Sequence, residues 1–306
     1  MDTTLSRTDR VWAYLQLLRP ANVVTAWADV LAGGAVAGVA VTLSDGLALP
    51  HGGAVAWLLA ATTGLYGGGI VLNDVFDAPV DAEERPERPL PSGRASRVGA
   101  AVLGSILLLL GIGAASQVTV ASGLLAAGIA GGAVAYDAWA NDHVVLGPLT
   151  MGLCRGGNLL LGVSLVPTLL TSVWYLVLIP VAYVAAITAV GQGEVHGGTH
   201  RTGYVALGLV GIVLGALLSL GLRGDYEFLY AVPFVIVVGA RVLPPFVRAA
   251  RSPEPAPIQK AVKAGVTSII PLNAVLAAGF GGWAYGLVVL ALLPLSMGLA
   301  RLFAVT

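Results

Sequence analysis

The sequence predicts an all-α protein, a polytopic transmembrane helical bundle of nine or ten spans, with residues 1–306 forming a single membrane domain. Three observations carry that prediction. Charged residues make up 10% of the chain and hydrophobic ones 57%, whereas soluble proteins carry roughly 25% charged residues. Apolar runs of about 20 residues, the length that crosses a bilayer as a helix, recur from one end of the chain to the other. Glycine is abundant, with 41 residues, which suits membrane helices whose backbones approach closely through small residues. No polar linker is long enough to divide the chain into two units.

The apolar runs fall at 22–43, 53–72, 96–115, 118–136, 147–167, 173–191, 204–222, 228–247, 260–279 and 281–303. Only Gly281 and Gly282 separate the last two, so they count as two spans or as one broken element. The first 20 residues mix Asp2, Arg7, Asp9, Arg10 and Arg19 with apolar residues. They lack the compact apolar core of a signal peptide, so the first span is expected to double as the membrane signal. With the N-terminus in the cytoplasm, 14 of the 16 basic residues face inward, as the positive-inside bias requires. Arg223 lies outside, and Arg155 lies within the fifth span. The inner connections are then 73–95, 137–146, 192–203 and 248–259, and they hold most of the polar residues capable of chemistry.

Charge and cysteine content exclude other classes. Sixteen acidic residues balance 16 basic ones, so the chain has no bulk attraction to nucleic acid. Cys154 is the single cysteine, so an intrachain disulfide and a cysteine metal cluster are both excluded.

The first inner connection is the exception to a charge-poor sequence. "NDVFDAPVDAEERPERPLPSGR", residues 73–94, contains Asp74, Asp77, Asp81, Glu83, Glu84 and Glu87 together with Arg85, Arg88 and Arg94. If the second span continues as a helix through residue 81, Asn73, Asp74, Asp77 and Asp81 share an arc of roughly 100°. Three carboxylates on one face repel one another unless a cation lies among them. Mg2+ is the natural choice, because it takes carboxylate and phosphate oxygens while keeping several waters. Pro79 removes one backbone hydrogen bond and would bend the helix between Asp77 and Asp81. The arginines that follow carry guanidiniums that fork onto phosphate oxygens. Acids that hold a metal beside arginines that hold phosphate describe a diphosphate site.

This stretch resembles the first Asp-rich motif of the UbiA superfamily of intramembrane prenyltransferases, N-D-x-x-D-x-x-x-D followed by R-P-L-x-x-G. The resemblance extends to "LRPAN" at 18–22, to the tyrosine-bearing inner loop at 136, and to a third inner loop after the sixth span. Within the superfamily, "YDAWANDHVVLGPLTMGLCRGGNLLLG" and "GQGEVHGG" look more like the EboC subgroup than the quinone-making members.

The resemblance implies a UbiA-type fold and an Mg2+-dependent transfer of a prenyl group from a prenyl diphosphate. The acceptor would be a small metabolite, aromatic or otherwise electron-rich, and membrane lipid would surround the site. It places Asn73, Asp74, Asp77 and Asp81 on the metal and diphosphate, with Arg19, Asn22, Arg85 and Arg88 as substrate contacts. Tyr136, Asp137 and His196 would line the acceptor side, with Tyr136 and Asp137 taking part in catalysis. The expected location is the bacterial cytoplasmic membrane.

Two departures from the family pattern stand out. Where the family has a second Asp-rich motif, D-x-x-D-x-E-G-D, this chain has Gly191, Glu194, His196 and Gly198. Glu194 keeps a carboxylate and becomes the expected ligand of a second ion. Where the family has Lys-Arg after its tyrosine, this chain has Asn141 and Asp142.

Within the spans, Arg155 and Asn158 share a helix face, and a charge at that depth costs at least about 2.5–3.5 kcal/mol. They are expected to face a polar cavity as substrate contacts, the alternative being an arginine that snorkels to the interface. Asp29 in the first span would touch the acceptor or pair with another helix. A transporter, a lipid-binding protein or an inactive scaffold on the same fold is the alternative function. Gathering of the ionisable residues at one end of the membrane favours the enzyme.

Overall fold

The computed structural model describes residues 7–39, 52–141, 143–194 and 197–303. They form α1 (Arg7–Leu17), α2 (Pro20–Val36), α3 (Gly52–Glu84), α4 (Arg97–Ser116), α5 (Val120–Ala135) and α6 (Leu146–Val163). After the short α7 (Leu170–Val173) come α8 (Leu178–Gly191), α9 (His200–Ser219) and α10 (Phe228–Arg251). The chain ends in α11 (Pro255–Thr267), α12 (Ile269–Gly281), α13 (Trp283–Leu290) and α14 (Leu292–Leu302). No strand occurs among the described residues.

Among the described residues, eight helical stretches are long and apolar enough to cross a membrane. Helices α2, with 17 residues, and α6, with 18, are not counted among them but occupy the two remaining predicted spans. Every expected span therefore has a helix at its core. The first was expected to reach residue 43, but residues 40–51 lie outside the described residues. The Gly281–Gly282 break is real: Gly282 has φ 89° and separates α12 from α13.

Helices α2 and α12 pack against each other at the centre, and nearly every residue of α12 is buried. Around them, α2 also packs on α3, α6 and α14, and α12 on α10 and α13. The α2–α6 contact depends on glycine. A Cβ on Gly33 would strike the Leu159 carbonyl, and one on Gly162 would strike the Val30 carbonyl. The two backbones touch because neither residue has a side chain. This crossing is what brings Asp29 of α2 next to Arg155 of α6.

Side-chain caps start several helices. Ser96 accepts the Gly99 amide at 2.9 Å ahead of α4, and Thr119 accepts the Ser122 amide at 3.0 Å ahead of α5. Each satisfies one of the amides a helix start leaves unpaired. Helix α1 meets the end of α14 where the Trp12 and Phe303 rings stack with centroids 4.8 Å apart.

Candidate active site

Helix α3 runs unbroken through Pro79 to Glu84, so the acids at 74, 77 and 81 are helical, as expected, and the connecting loop begins only at Arg85. Asp74 and Asp81 lie seven residues apart, on the same helix face, and each is 5% exposed. Arg88 spans them: its Nη1 lies 2.6 Å from Asp81 Oδ2 and 3.7 Å from Asp74 Oδ1. The Arg19 guanidinium makes a second ion pair with Asp74.

Arg19 reaches Asp74 from the elbow between α1 and α2. With φ 43° it is the one non-glycine residue of positive φ among the described residues. Left-handed backbone costs an L-residue of this kind about 1–3 kcal/mol, and such strain gathers at functional sites. Arg94 braces the loop from behind by donating to Gln16 Oε1 at 2.9 Å and to the Glu87 carbonyl at 2.7 Å.

Arg19, Asn22, Asp74, Arg85, Arg88 and Phe303 are among the residues lining a pocket of about 430 Å³. A second cavity of about 340 Å³ adjoins it, and Arg19 and Asn22 line both. This chamber reaches in among the helices. Its apolar wall includes Leu65, Ile70, Ile129, Val184, Ile187 and Ile269, and its polar wall includes Asn73, Tyr136, Asp137, Arg155 and Asn158.

Tyr136 and Asp137 reach the chamber through a π-helical turn, Tyr136–Ala140, that closes α5. Such turns insert one residue into a helix and recur at functional sites. Here the Asn141 amide donates to the Tyr136 carbonyl at 2.9 Å. Asp137 Oδ1 accepts from Asn73 Nδ2 at 3.2 Å, while its Oδ2 is buried without a hydrogen-bond partner.

Arg155 does not snorkel. It is 8% exposed, and its Nη1 donates to Asp29 Oδ2 at 2.7 Å. Its Nη2 donates to Thr25 Oγ1 at 2.6 Å and to the Tyr66 hydroxyl at 3.4 Å, with the guanidinium 5.0 Å from the Tyr66 ring centroid. Asn158 donates to Asp29 Oδ2 at 3.3 Å and to the Ala26 carbonyl at 2.8 Å, and accepts from Thr62 at 2.6 Å. Asn273 of α12 donates to the other Asp29 oxygen at 2.7 Å. Asp29 is thus the partner of Arg155 and ties α2 to α6 and α12. Sequence reading missed Asn273, although a lone amide within an apolar span is the signal that would have found it.

The structure therefore gathers Arg19, Asn22, Asn73, Asp74, Arg85, Arg88, Tyr136, Asp137, Arg155 and Asn158 around two adjoining cavities. Asp81 joins them through Arg88, and Asp77 lies half-buried on the same helix between Asp74 and Asp81. Glu194 lines neither cavity, and its carbonyl accepts from Gln259 Nε2 at 3.3 Å. His196 and Asp142 lie outside the described residues. His143 faces away onto Trp139, its Nδ1–H donating to the Trp139 carbonyl at 3.0 Å.

Among the described residues, no three His, Cys, Asp or Glu side chains form a ready-made metal cage. Asp74 and Asp81 point at guanidiniums instead. The donor chemistry nevertheless fits Mg2+: Asn73, Asp74, Asp77 and Asp81 offer oxygen alone, the ligand type this ion prefers. The buried Asp137 Oδ2 adds an oxygen that lacks a donor.

Fold and site together define a polytopic helical membrane protein in which a charged pocket opens onto a largely apolar chamber. The chain belongs to the UbiA prenyltransferase family, whose model matches residues 31–261. A stretch of 106 residues is 38% identical to the digeranylgeranylglyceryl phosphate synthase of Methanopyrus kandleri, covering 35% of each chain. A stretch of 104 residues is 36% identical to the same-named protein of Natronomonas pharaonis, covering 34% of each. The matched stretch spans about a third of the length of these curated relatives.

A solved UbiA homologue from Archaeoglobus fulgidus bound to GPP and Mg2+ has a TM-score of 0.62 at 18% identity, over 91% of this chain and 99% of that one. The apo UbiA homologue from Aeropyrum pernix K1 has a TM-score of 0.66 at 16% identity, over 83% and 96%. At such identities the likeness is one of fold. The relatives bear the name digeranylgeranylglyceryl phosphate synthase, and what these likenesses establish is the family at large.

Proposed function

We propose that the chain is an integral membrane prenyltransferase, cleaving a prenyl diphosphate and joining the prenyl group to a small nucleophilic acceptor. The observation that carries this reading is the pair of cavities joined at Arg19 and Asn22. One is lined by guanidiniums and carboxylates and suits a diphosphate; the other is largely apolar and suits the allylic end of a hydrocarbon chain. The family match supports the reading, as do the solved homologue bound to GPP and Mg2+ and the names of the relatives.

Arg19, Arg85 and Arg88 would bind the diphosphate oxygens and oppose the charge that gathers there as the allylic carbon–oxygen bond breaks. Its electron pair leaves with the diphosphate, and the acceptor's nucleophilic atom forms the new bond to the same carbon and loses a proton. Asn73, Asp74, Asp77 and Asp81 would hold Mg2+, which supplies further charge neutralisation when bound. The apolar chamber wall keeps water from the electron-poor carbon. The buried Asp29–Arg155–Asn158 network fixes the polar side of the chamber.

The acceptor was expected to be aromatic or otherwise electron-rich. The relatives are named for making a glyceryl phosphate, so a hydroxyl nucleophile is a further reading beside an aromatic one. Incubating the purified protein with Mg2+, prenyl diphosphates of several lengths and a cell extract should yield pyrophosphate and a prenylated product seen by mass spectrometry. Uptake of a lipid across vesicles without pyrophosphate would support the transporter reading instead.

A further inference from the structure

We infer that the groove between α10 and α11 binds the headgroup of an anionic phospholipid, with Arg241 at its floor and Arg248 and Lys263 above it. The starting observation is Arg241, which lies well inside the 24-residue α10 and is half-buried. No ion pair involves it among the described residues. Its Nε donates to Ser268 Oγ at 3.3 Å and its Nη2 to Thr267 Oγ1 at 3.2 Å, both neutral hydroxyls at the break between α11 and α12. It lines neither cavity of the candidate active site, so prenyl transfer gives it no role. A cation within a membrane span is costly, and as a rule it meets an anion or a polar cavity. The positive-inside bias accounts for cations beyond the ends of a span, not for one at this depth.

The residues around Arg241 place it at the lipid-facing surface. Val237, one turn earlier, and Pro244, one turn later, are both exposed. Helical spacing puts Arg248 and Arg251 on the same side of α10, and both are exposed. Residues 252–254 then turn the chain back, and α11 packs antiparallel against α10. It presents Lys260 and Lys263, also exposed. Thr267, one turn beyond Lys263, donates to the Lys263 carbonyl at 2.8 Å while it accepts from Arg241. That hydroxyl joins the two helices at the floor of the groove.

Five cations therefore border one groove, and neither helix contains an Asp or Glu. None of the five makes an ion pair among the described residues. At the depth of Arg241 the surface turns apolar, with Val237 and Val266 exposed at 37% and 39%. A phospholipid has the same order of parts. Its phosphate oxygens suit guanidinium and ammonium donors, and its acyl chains suit the apolar surface below. A zwitterionic headgroup carries its own cation, which these side chains repel. Each Lys or Arg near a membrane surface favours an anionic lipid by about fivefold.

The test is native mass spectrometry of the full-length protein in neutral detergent, titrated with phosphatidylglycerol or with phosphatidylcholine of the same acyl chains. Phosphatidylglycerol should bind more tightly by at least about tenfold. Arg241→Gln should lower that preference by about fivefold. Because Arg241→Gln removes two interhelical hydrogen bonds and can impair folding, the exposed pair Arg248→Gln and Lys263→Gln carries the test independently. Together they should bring the preference close to one. Arg10→Gln, on α1 and outside the groove, should leave it unchanged.

Equal affinity for the two lipids overturns the inference, as does a preference that survives Arg248→Gln with Lys263→Gln. A loss of the same size in Arg10→Gln overturns it too, because net charge and not the groove would then set the preference. If inorganic phosphate binds the protein as tightly as phosphatidylglycerol and is lost in the same variants, the groove is a site for soluble anions and the lipid assignment fails.

Discussion

The Asp29–Arg155 pair sets the largest single stability effect expected of a side chain in this fold. Both groups are buried, at 3% and 8% exposed, and they are joined at 2.7 Å between α2 and α6. Removing one partner strands the other charge, which costs about 3–5 kcal/mol. Asp29→Leu strands the guanidinium, leaving it Thr25 and Tyr66 as neutral partners. Arg155→Met strands the carboxylate, which keeps the Asn158 and Asn273 amides at 3.3 and 2.7 Å. That compensation makes Arg155→Met the milder change, by about 1–2 kcal/mol. The double variant removes both charges and should recover most of the loss, because well-packed apolar groups replace a buried pair at little cost. A double-mutant cycle from reversible unfolding in bicelles should therefore give a favourable coupling of about 2–4 kcal/mol. Additive single effects, each below about 1 kcal/mol, would refute the reasoning and place the pair in contact with water.

Other outcomes follow from the same geometry. Gly162→Val puts a side chain against the Val30 carbonyl and the Gly33 Cα, so it should lower stability by about 3 kcal/mol in the same unfolding assay. Gly128→Ala, with nothing within 4 Å of the new Cβ, should be neutral or stabilise by up to about 1 kcal/mol. Arg88→Gln removes a cation from the phosphate pocket and should weaken inorganic pyrophosphate binding, read by calorimetry, by about ten- to a hundredfold, the worth of one charge-assisted hydrogen bond. EDTA should abolish pyrophosphate release from a prenyl diphosphate, and excess Mg2+ should restore it.

The amount legible in the sequence differed from feature to feature. The spans could be read because lipid forces each crossing into an apolar helix of near-constant length. The shared face of Asn73, Asp74, Asp77 and Asp81 could be read because helical periodicity fixes which side chains neighbour one another within a segment. Partners on different helices could not. Arg155 and Asp29 lie 126 residues apart, and their pairing depends on the Gly33–Gly162 crossing, which no local pattern encodes. Nor could the sequence show that Arg88 would occupy the carboxylates at 74 and 81 rather than reach outward. The π turn at Tyr136–Ala140 was equally hidden, since it comes from one inserted residue rather than from any distinctive composition. It is this turn that places Tyr136 and Asp137 in the same chamber wall.

The central claim is that the charged pocket cleaves a prenyl diphosphate. The most direct test is stoichiometric pyrophosphate release by the purified protein and by Asp74→Asn and Asp81→Asn, given geranylgeranyl diphosphate, Mg2+ and a cell extract supplying acceptors, with folding checked by thermal unfolding. The predicted result is release matched mole for mole by a prenylated product in the wild type, and loss of both in the folded variants. Undiminished release in both variants, or no release by the wild type, would contradict it.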